Sequence, residues 1–187
     1  MRIFVPILAL ALLAGCSSTK KIADTFDTRQ NAGACPAAGS LYDAARIVQF
    51  DGAGDVYSDI AYTGEIIDVR TFCRYTGDNP LEAELELEFA FGKGPAATGP
   101  SHDFTYWVAV TRRSGKVLAK EHYTVRADFR NGALLDGKTE KLNRIRIPRA
   151  DETIAGSNFE IVVGFDLTDD QLAFNREGKR FRMNAGQ

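Results

Sequence analysis

Leu81-Glu82-Ala83-Glu84-Leu85-Glu86-Leu87-Glu88-Phe89-Ala90-Phe91 is the stretch that decides the fold class. Every odd position is apolar, and the even positions from Glu82 to Glu88 all carry glutamate. A helix would scatter these carboxylates around its circumference. A strand puts them on one face and the apolar residues on the other. Glutamate and leucine favour helix intrinsically, so the alternation overrides propensity and predicts a half-buried strand.

The period of two continues on both sides. Phe104–Val110 reads as a second strand, Arg113-Ser114-Gly115-Lys116 as a turn, and Val117–Phe129 as the returning strand. In the returning strand Val117, Ala119, Tyr123, Val125, Ala127 and Phe129 share one side. Further strands are predicted at Arg46–Phe50, Ile60–Tyr75, Lys141–Ile147 and Asn158–Leu167. Thr168-Asp169-Asp170-Gln171 matches a capping box and predicts a short helix through Asn175. About seven strands with turn signals between them and little helix predict an antiparallel two-sheet β-sandwich, immunoglobulin-like in architecture, with a short C-terminal helix. The domain is placed at residues 35–176, followed by a polar tail at 177–187.

Composition sets the class. The chain has 187 residues, 44% of them hydrophobic and 26% charged, with 23 Lys+Arg against 25 Asp+Glu. That supports one globular domain with a real core and argues against general disorder. The balanced charge gives no basic footprint for nucleic acid. Two histidines and three cysteines leave little material for metal or nucleophilic chemistry.

The N-terminus reads as an address. Arg2 precedes an apolar run, Ile3–Leu13, that is too short to cross a hydrocarbon core about 30 Å thick. It fits the apolar region of a secretory signal peptide. Leu13-Ala14-Gly15-Cys16 resembles the lipobox of bacterial lipoproteins. The resemblance implies removal of residues 1–15 and acylation of Cys16, with acyl chains holding the protein at a membrane. It also implies an exported, periplasm-facing location, with the outer membrane favoured because Ser17 stands where an aspartate would signal inner-membrane retention. Residues 16–34 then comprise the lipidated cysteine and a small, polar tether.

With Cys16 given to lipid, Cys35 and Cys73 remain for a disulfide in an oxidising compartment. The mature segment is similar to a family of alphaproteobacterial lipoproteins without assigned activity. The likeness rests on Cys35 and Cys73, on Trp107-Val108-Ala109-Val110 with Val117–Glu121, and on Gly164–Thr168 before Gln171–Arg176. It implies no catalytic residue.

Several stretches imitate chemistry. Gly132-Ala133-Leu134-Leu135-Asp136-Gly137-Lys138-Thr139 fits GxxxxGK[ST], but Lys141–Ile147 alternates and stops at Pro148 where a phosphate loop needs a helix. A polar hairpin loop is expected there, without nucleotide. Ser17–Lys20 fits SxxK inside the tether. The carboxylates from Asp51 to Asp59 lack the glycine and glutamate of an EF-hand and read as a turn. His102 and His122 fall in different segments, with no nucleophile elbow. Neither metal, cofactor nor catalytic residue is expected. The comb Glu82, Glu84, Glu86 and Glu88 has two readings. One is a solvated ladder compensated by Arg144 with Arg146, or Arg112 with Lys120; the other is a docking stripe for a basic partner.

The sequence thus supports a non-catalytic envelope module that meets a protein partner. The alternative is a carrier of a small ligand or lipid between its sheets, for which 12 Phe, 6 Tyr and 1 Trp supply material. The expected bridge is checked directly. The unfolded mature chain should titrate no free thiol without reductant, and reduction should cost about 4 kcal/mol, the loop-entropy value for about 39 residues.

Overall fold

The computed structural model describes residues 34–52, 54–75, 80–150 and 153–179. The expected signal peptide, Cys16, nearly all of the expected tether and the end of the C-terminal tail lie outside the described residues. The strands are β1 (Ala37–Ser40), β2 (Arg46–Phe50), β3 (Ile60–Arg74), β4 (Leu81–Lys93), β5 (Ser101–Arg112), β6 (Val117–Asp128), β7 (Leu135–Ile147) and β8 (Phe159–Phe165). One helix, α1 (Asp169–Arg176), follows them. Two four-stranded sheets, ordered β1-β8-β5-β6 and β2-β3-β4-β7, form the sandwich.

The odd residues of β4 meet the other sheet as the alternation requires. Leu81, Ala83, Leu85, Leu87, Phe89 and Phe91 are all buried. Phe91 stacks on Phe104 of β5 at 4.7 Å, and Phe89 lies 5.1 Å from Tyr106 and 6.0 Å from Phe165 of β8. Burying each such side chain is worth about 1.5–3 kcal/mol relative to exposure. The expected β5–β6 hairpin forms, with a register shift between Val110 and Thr111 and with Gly115 of its turn at φ +81°.

The edges are treated unequally. β1 was not expected; it is four residues long and pairs in parallel with β8, the one departure from antiparallel order among these strands. Just before it, Cys35 is bonded to Cys73 of β3, tying the β1 edge of one sheet to the other sheet. The free edge of β2 is covered by α1. Gln171 Nε2 donates to the carbonyl of Val48 at 3.2 Å, and Asn175 Nδ2 donates to that of Arg46 at 2.8 Å. The match is geometric: four helical residues rise about 6 Å, close to the roughly 6.6 Å between alternate carbonyls of a strand. The capping box at Thr168 and Gln171 is formed on both sides, and Phe174 packs against Val48, Ile60 and Phe50.

One expectation is corrected. The stretch Gly132–Thr139 is not a polar hairpin loop. β7 starts at Leu135, and Gly137 and Lys138 pair with Ala90 and Phe89 of β4. The preceding turn, with Asn131 at φ 55° and Gly132 at φ 77°, carries the chain from one sheet to the other and so joins no hairpin. Pairing with β4 supplies the backbone partners that the local sequence could not show.

His102 sits on the inner side of β5, stacked on Tyr62 at 4.4 Å and edge-on to Phe104. Its Nε2 is buried without a hydrogen-bond partner. Burial pushes its pKa below the ordinary 6.5, against a smaller opposing pull from Asp103. The unfolded chain therefore binds this proton more readily than the folded one, and stability is lost as pH falls through 6.5. Thermal denaturation across that range should show a decline that His102→Phe flattens.

Candidate functional site

The sandwich is open at one corner. Val117, Ala119, Glu121 and Tyr123 of β6 have the same inward parity as buried Val125 and Ala127. Yet Val117 is 56% exposed, and Ala119 and Glu121 are exposed as well. Opposite them, Leu142 and Ile145 of β7 are only half-buried. Between these rows lies a cleft of about 480 Å³. Val108 and Val110 of β5, both buried, line it together with Ala119, Leu142 and Ile145, while Glu121, Tyr123 and residues Lys141–Arg146 supply the polar lining. The volume falls in the range of small-molecule sites.

Both walls of the cleft are irregular: the β5–β6 register shifts between Val110 and Thr111, and β7 carries a bulge opposite β4. Ala83 pairs with Ile145 but Leu85 pairs with Leu142, so two residues of β7, Asn143 and Arg144, oppose the single Glu84. Such a bulge bends and twists its strand and re-aims side chains. Arg144 accommodates it in the left-handed region, at φ +69°. That conformation costs an L-residue roughly 1–2 kcal/mol. The sequence did hold a signal: the inward apolar residues Leu142 and Ile145 are three apart, breaking the period of two.

The charges of the cleft are not equivalent. Lys141 Nζ is held by Glu86 at 2.7 Å on the outer face. Glu121 accepts a hydrogen bond from the Tyr123 hydroxyl at 2.6 Å. Burial, with this bond second, pushes the Tyr123 pKa up to about 12. Arg144 and Arg146 form no ion pair with another described residue.

Glu86 and Glu88 of the glutamate comb are compensated by Arg70 and Lys141, while Glu82 and Glu84 lie beside the expected Arg144 and Arg146 without an ion pair among the described residues. Arg70 of β3 reaches Glu86 at 3.5 Å and also pairs with Glu88. Lys141 pairs with Glu86 and holds its carboxyl below the usual glutamate range. Glu82 stands in register between Arg74 and Arg146, and Glu84 faces Phe72. Arg112 and Lys120 belong to the other sheet, and Arg144, opposite Glu84 in the bulge, lines a small outer-face cleft with Glu82 and Glu84.

On the outer face of the β5–β6 sheet, His122 Nδ1 lies 3.2 Å from Asp166 Oδ2, both side chains about half exposed. Trp107, cross-strand from His122, donates its indole N–H to the Phe165 carbonyl and carries Lys120 Nζ 4.6 Å above its ring. Gly164 makes room for that indole; a Cβ there would come within 2.6 Å of it. Among the described residues no hydroxyl or thiol hydrogen-bonds to His122. His102 is elsewhere, in the aromatic core.

The remaining motifs resolve into structure. Lys138 lies 3.4 Å from both Asp128 and Asp136, clamping the end of β6 to β7, and the chain beyond it continues as strand rather than opening a helix. In the Asp51–Asp59 loop Asp55 is taken by Lys179 at 2.6 Å, and the Asp51 amide donates to the Asp59 carbonyl. Among the described residues no group of three or more His, Cys, Asp or Glu is arranged to hold a metal.

Comparison with protein-family models, curated proteins and solved structures returns no match. The strain at the cleft has a direct check. Arg144→Gly should raise stability by about 1 kcal/mol in urea denaturation by removing the left-handed penalty. Arg144→Val should lower it, since a β-branched residue tolerates positive φ worst.

Proposed function

We propose that this chain is a non-catalytic binding module of the bacterial cell envelope, with the open corner between β6 and β7 as its recognition surface. In this reading the chain is exported and acylated on Cys16. It stays on the periplasmic side of a membrane, the outer membrane favoured, and meets another envelope component there. The observation that carries the reading is the uncovered inward row Val117, Ala119 and Glu121 facing Leu142 and Ile145. Residues with core parity left exposed above an apolar floor mark a place meant to be covered.

Other features support it. The Cys35–Cys73 bond suits an oxidising compartment. No helix of the described residues is long and apolar enough to cross a membrane, so the acyl chains would supply the attachment. Anchoring confines the search for a partner to a surface and raises the effective concentration of weak contacts. The comb Glu82–Glu88 is the weaker surface, because a basic partner would first have to displace Arg70 and Lys141. A second reading, a carrier of a small ligand or lipid, is favoured by one observation: the cleft runs between the sheets with a volume of about 480 Å³.

In-cell photocrosslinking tests the proposal. A photoreactive residue at Ala119 should give a defined adduct, whereas one at Thr124, on the opposite face of the same strand, should not. The adduct should weaken in a Cys16→Ser background, which should also lose metabolic fatty-acid label. Equal adducts at both positions, or none at Ala119, would reject the corner as the recognition surface. Fatty-acid label retained in Cys16→Ser would reject the anchor.

A further inference from the structure

We infer that the open corner takes an extended polypeptide strand from another envelope protein, paired along the free edge of β6, with a lysine or arginine facing Glu121. The inference rests on the corner being the recognition surface proposed above, and it names the chemistry of the occupant.

The backbone argues for a strand. Among the described residues β6 ends one sheet and β7 ends the other, so each wall of the cleft is a sheet edge with one unpaired side. In an antiparallel strand the N–H and C=O of alternate residues point away from the existing partner, where another chain can satisfy them. β7 is a poor template here, because its bulge at Asn143 and Arg144 breaks the spacing of those groups. β6 is regular from Ala119 to Asp128, and Lys138 clamps only the Asp128 end. The stretch Ala119–Tyr123 therefore offers about 17 Å of free edge. Lys120, placed where a lysine would guard that edge, is drawn over the Trp107 ring at 4.6 Å. The inward side chains of an added strand would lie beside Ala119 and Tyr123 and across from Leu142 and Ile145, which suits apolar residues.

The charges argue for a cation between those apolar residues. Glu121 is cross-strand from buried Val108 and shares its inward side. It accepts a hydrogen bond from the Tyr123 hydroxyl, a neutral donor. Glu140 of β7 is likewise inward, in register with buried Leu87. Burial, then the charge of Glu140, pushes the pKa of the Tyr106 hydroxyl up, which places that charge across the same interior. Neither carboxylate forms a salt bridge with a described residue. An added strand would cover Glu121, and a carboxylate buried without a cation is costly. A wholly apolar strand incurs that cost and a cation-bearing one removes it, so Glu121 selects its partner as well as binding it. The odd-numbered row of β6 from Val117 to Ala127 carries no cation, so a second copy pairing through this strand would not supply one.

The test uses the full mature chain carrying Cys16→Ser, with amide NMR as the readout. The probe is a capped seven-residue peptide with valine at positions two and six, lysine at four and threonine elsewhere. It should shift the Ala119–Tyr123 amides saturably and slow their hydrogen exchange. Norleucine in place of its lysine should weaken binding about tenfold, the loss expected for a charge-assisted contact. N-methylation of one alternate set of peptide residues should abolish binding, because those amides face β6. Glu121→Gln should erase the preference for lysine over norleucine, and Glu121→Lys should transfer it to a peptide with glutamate at position four. Equal affinity for the lysine and norleucine peptides, tolerance of N-methylation at either set, or no saturable shift at the corner would overturn the inference. So would a concentration-dependent dimer with protected β6 amides, which would assign the edge to a second copy. An in-cell adduct at Ala119 without peptide binding would reject the strand and keep the corner. Absence of both would reject the corner itself.

Discussion

The apolar row of β4 holds this sandwich together. β4 is an inner strand, paired to β3 on one side and β7 on the other, and its inward side chains meet Phe104, Tyr106 and Phe165 of the facing sheet. Because side chains alternate strictly, a slip of one residue would bury four glutamates and expose six apolar groups. That penalty fixes the register of β4, and through its two partners the register of β3 and β7. The outward glutamates add solubility and modest, solvent-screened pairing to Arg70 and Lys141.

A sandwich built this way must still manage its edges. At the β1 side a disulfide joins the two sheets, and at β2 the helix α1 supplies side-chain amides to the strand's free carbonyls. At the β6–β7 side Lys138 clamps the two strands only at the end of β6, through Asp128 and Asp136. Farther along, the bulge at Asn143 and Arg144 coincides with the parting of the sheets and the uncovering of Val117 and Ala119. The fold therefore secures its β1 and β2 sides and leaves the β6–β7 corner open. That corner also holds the bulge and its strained arginine. Backbone strain of this kind is a cost that folding alone does not require.

Much of this was legible in the alternation of apolar and polar residues. The Leu81–Phe91 strand, the β5–β6 hairpin and the capped helix at Thr168 report their own periods and turn chemistry, which are local properties. β1 was not legible, because Ala37-Ala38-Gly39-Ser40 carries no apolar alternation and becomes a strand only by pairing with β8. The start of β7 was hidden for the same reason: Asp136, Gly137 and Lys138 resemble a loop until β4 pairs with them. Of the candidate site, the inward parity of Val117 and Ala119 was readable, but their exposure was not.

The sequence by itself determined the class of fold, the faces of its strands, the helix start and the candidates for the disulfide, since each depends on neighbours along the chain. Only the tertiary structure decided which strands share a sheet, which cations answer the glutamates, and where the core is left uncovered. Those depend on distances between residues far apart in sequence, and periodicity carries no information about such distances.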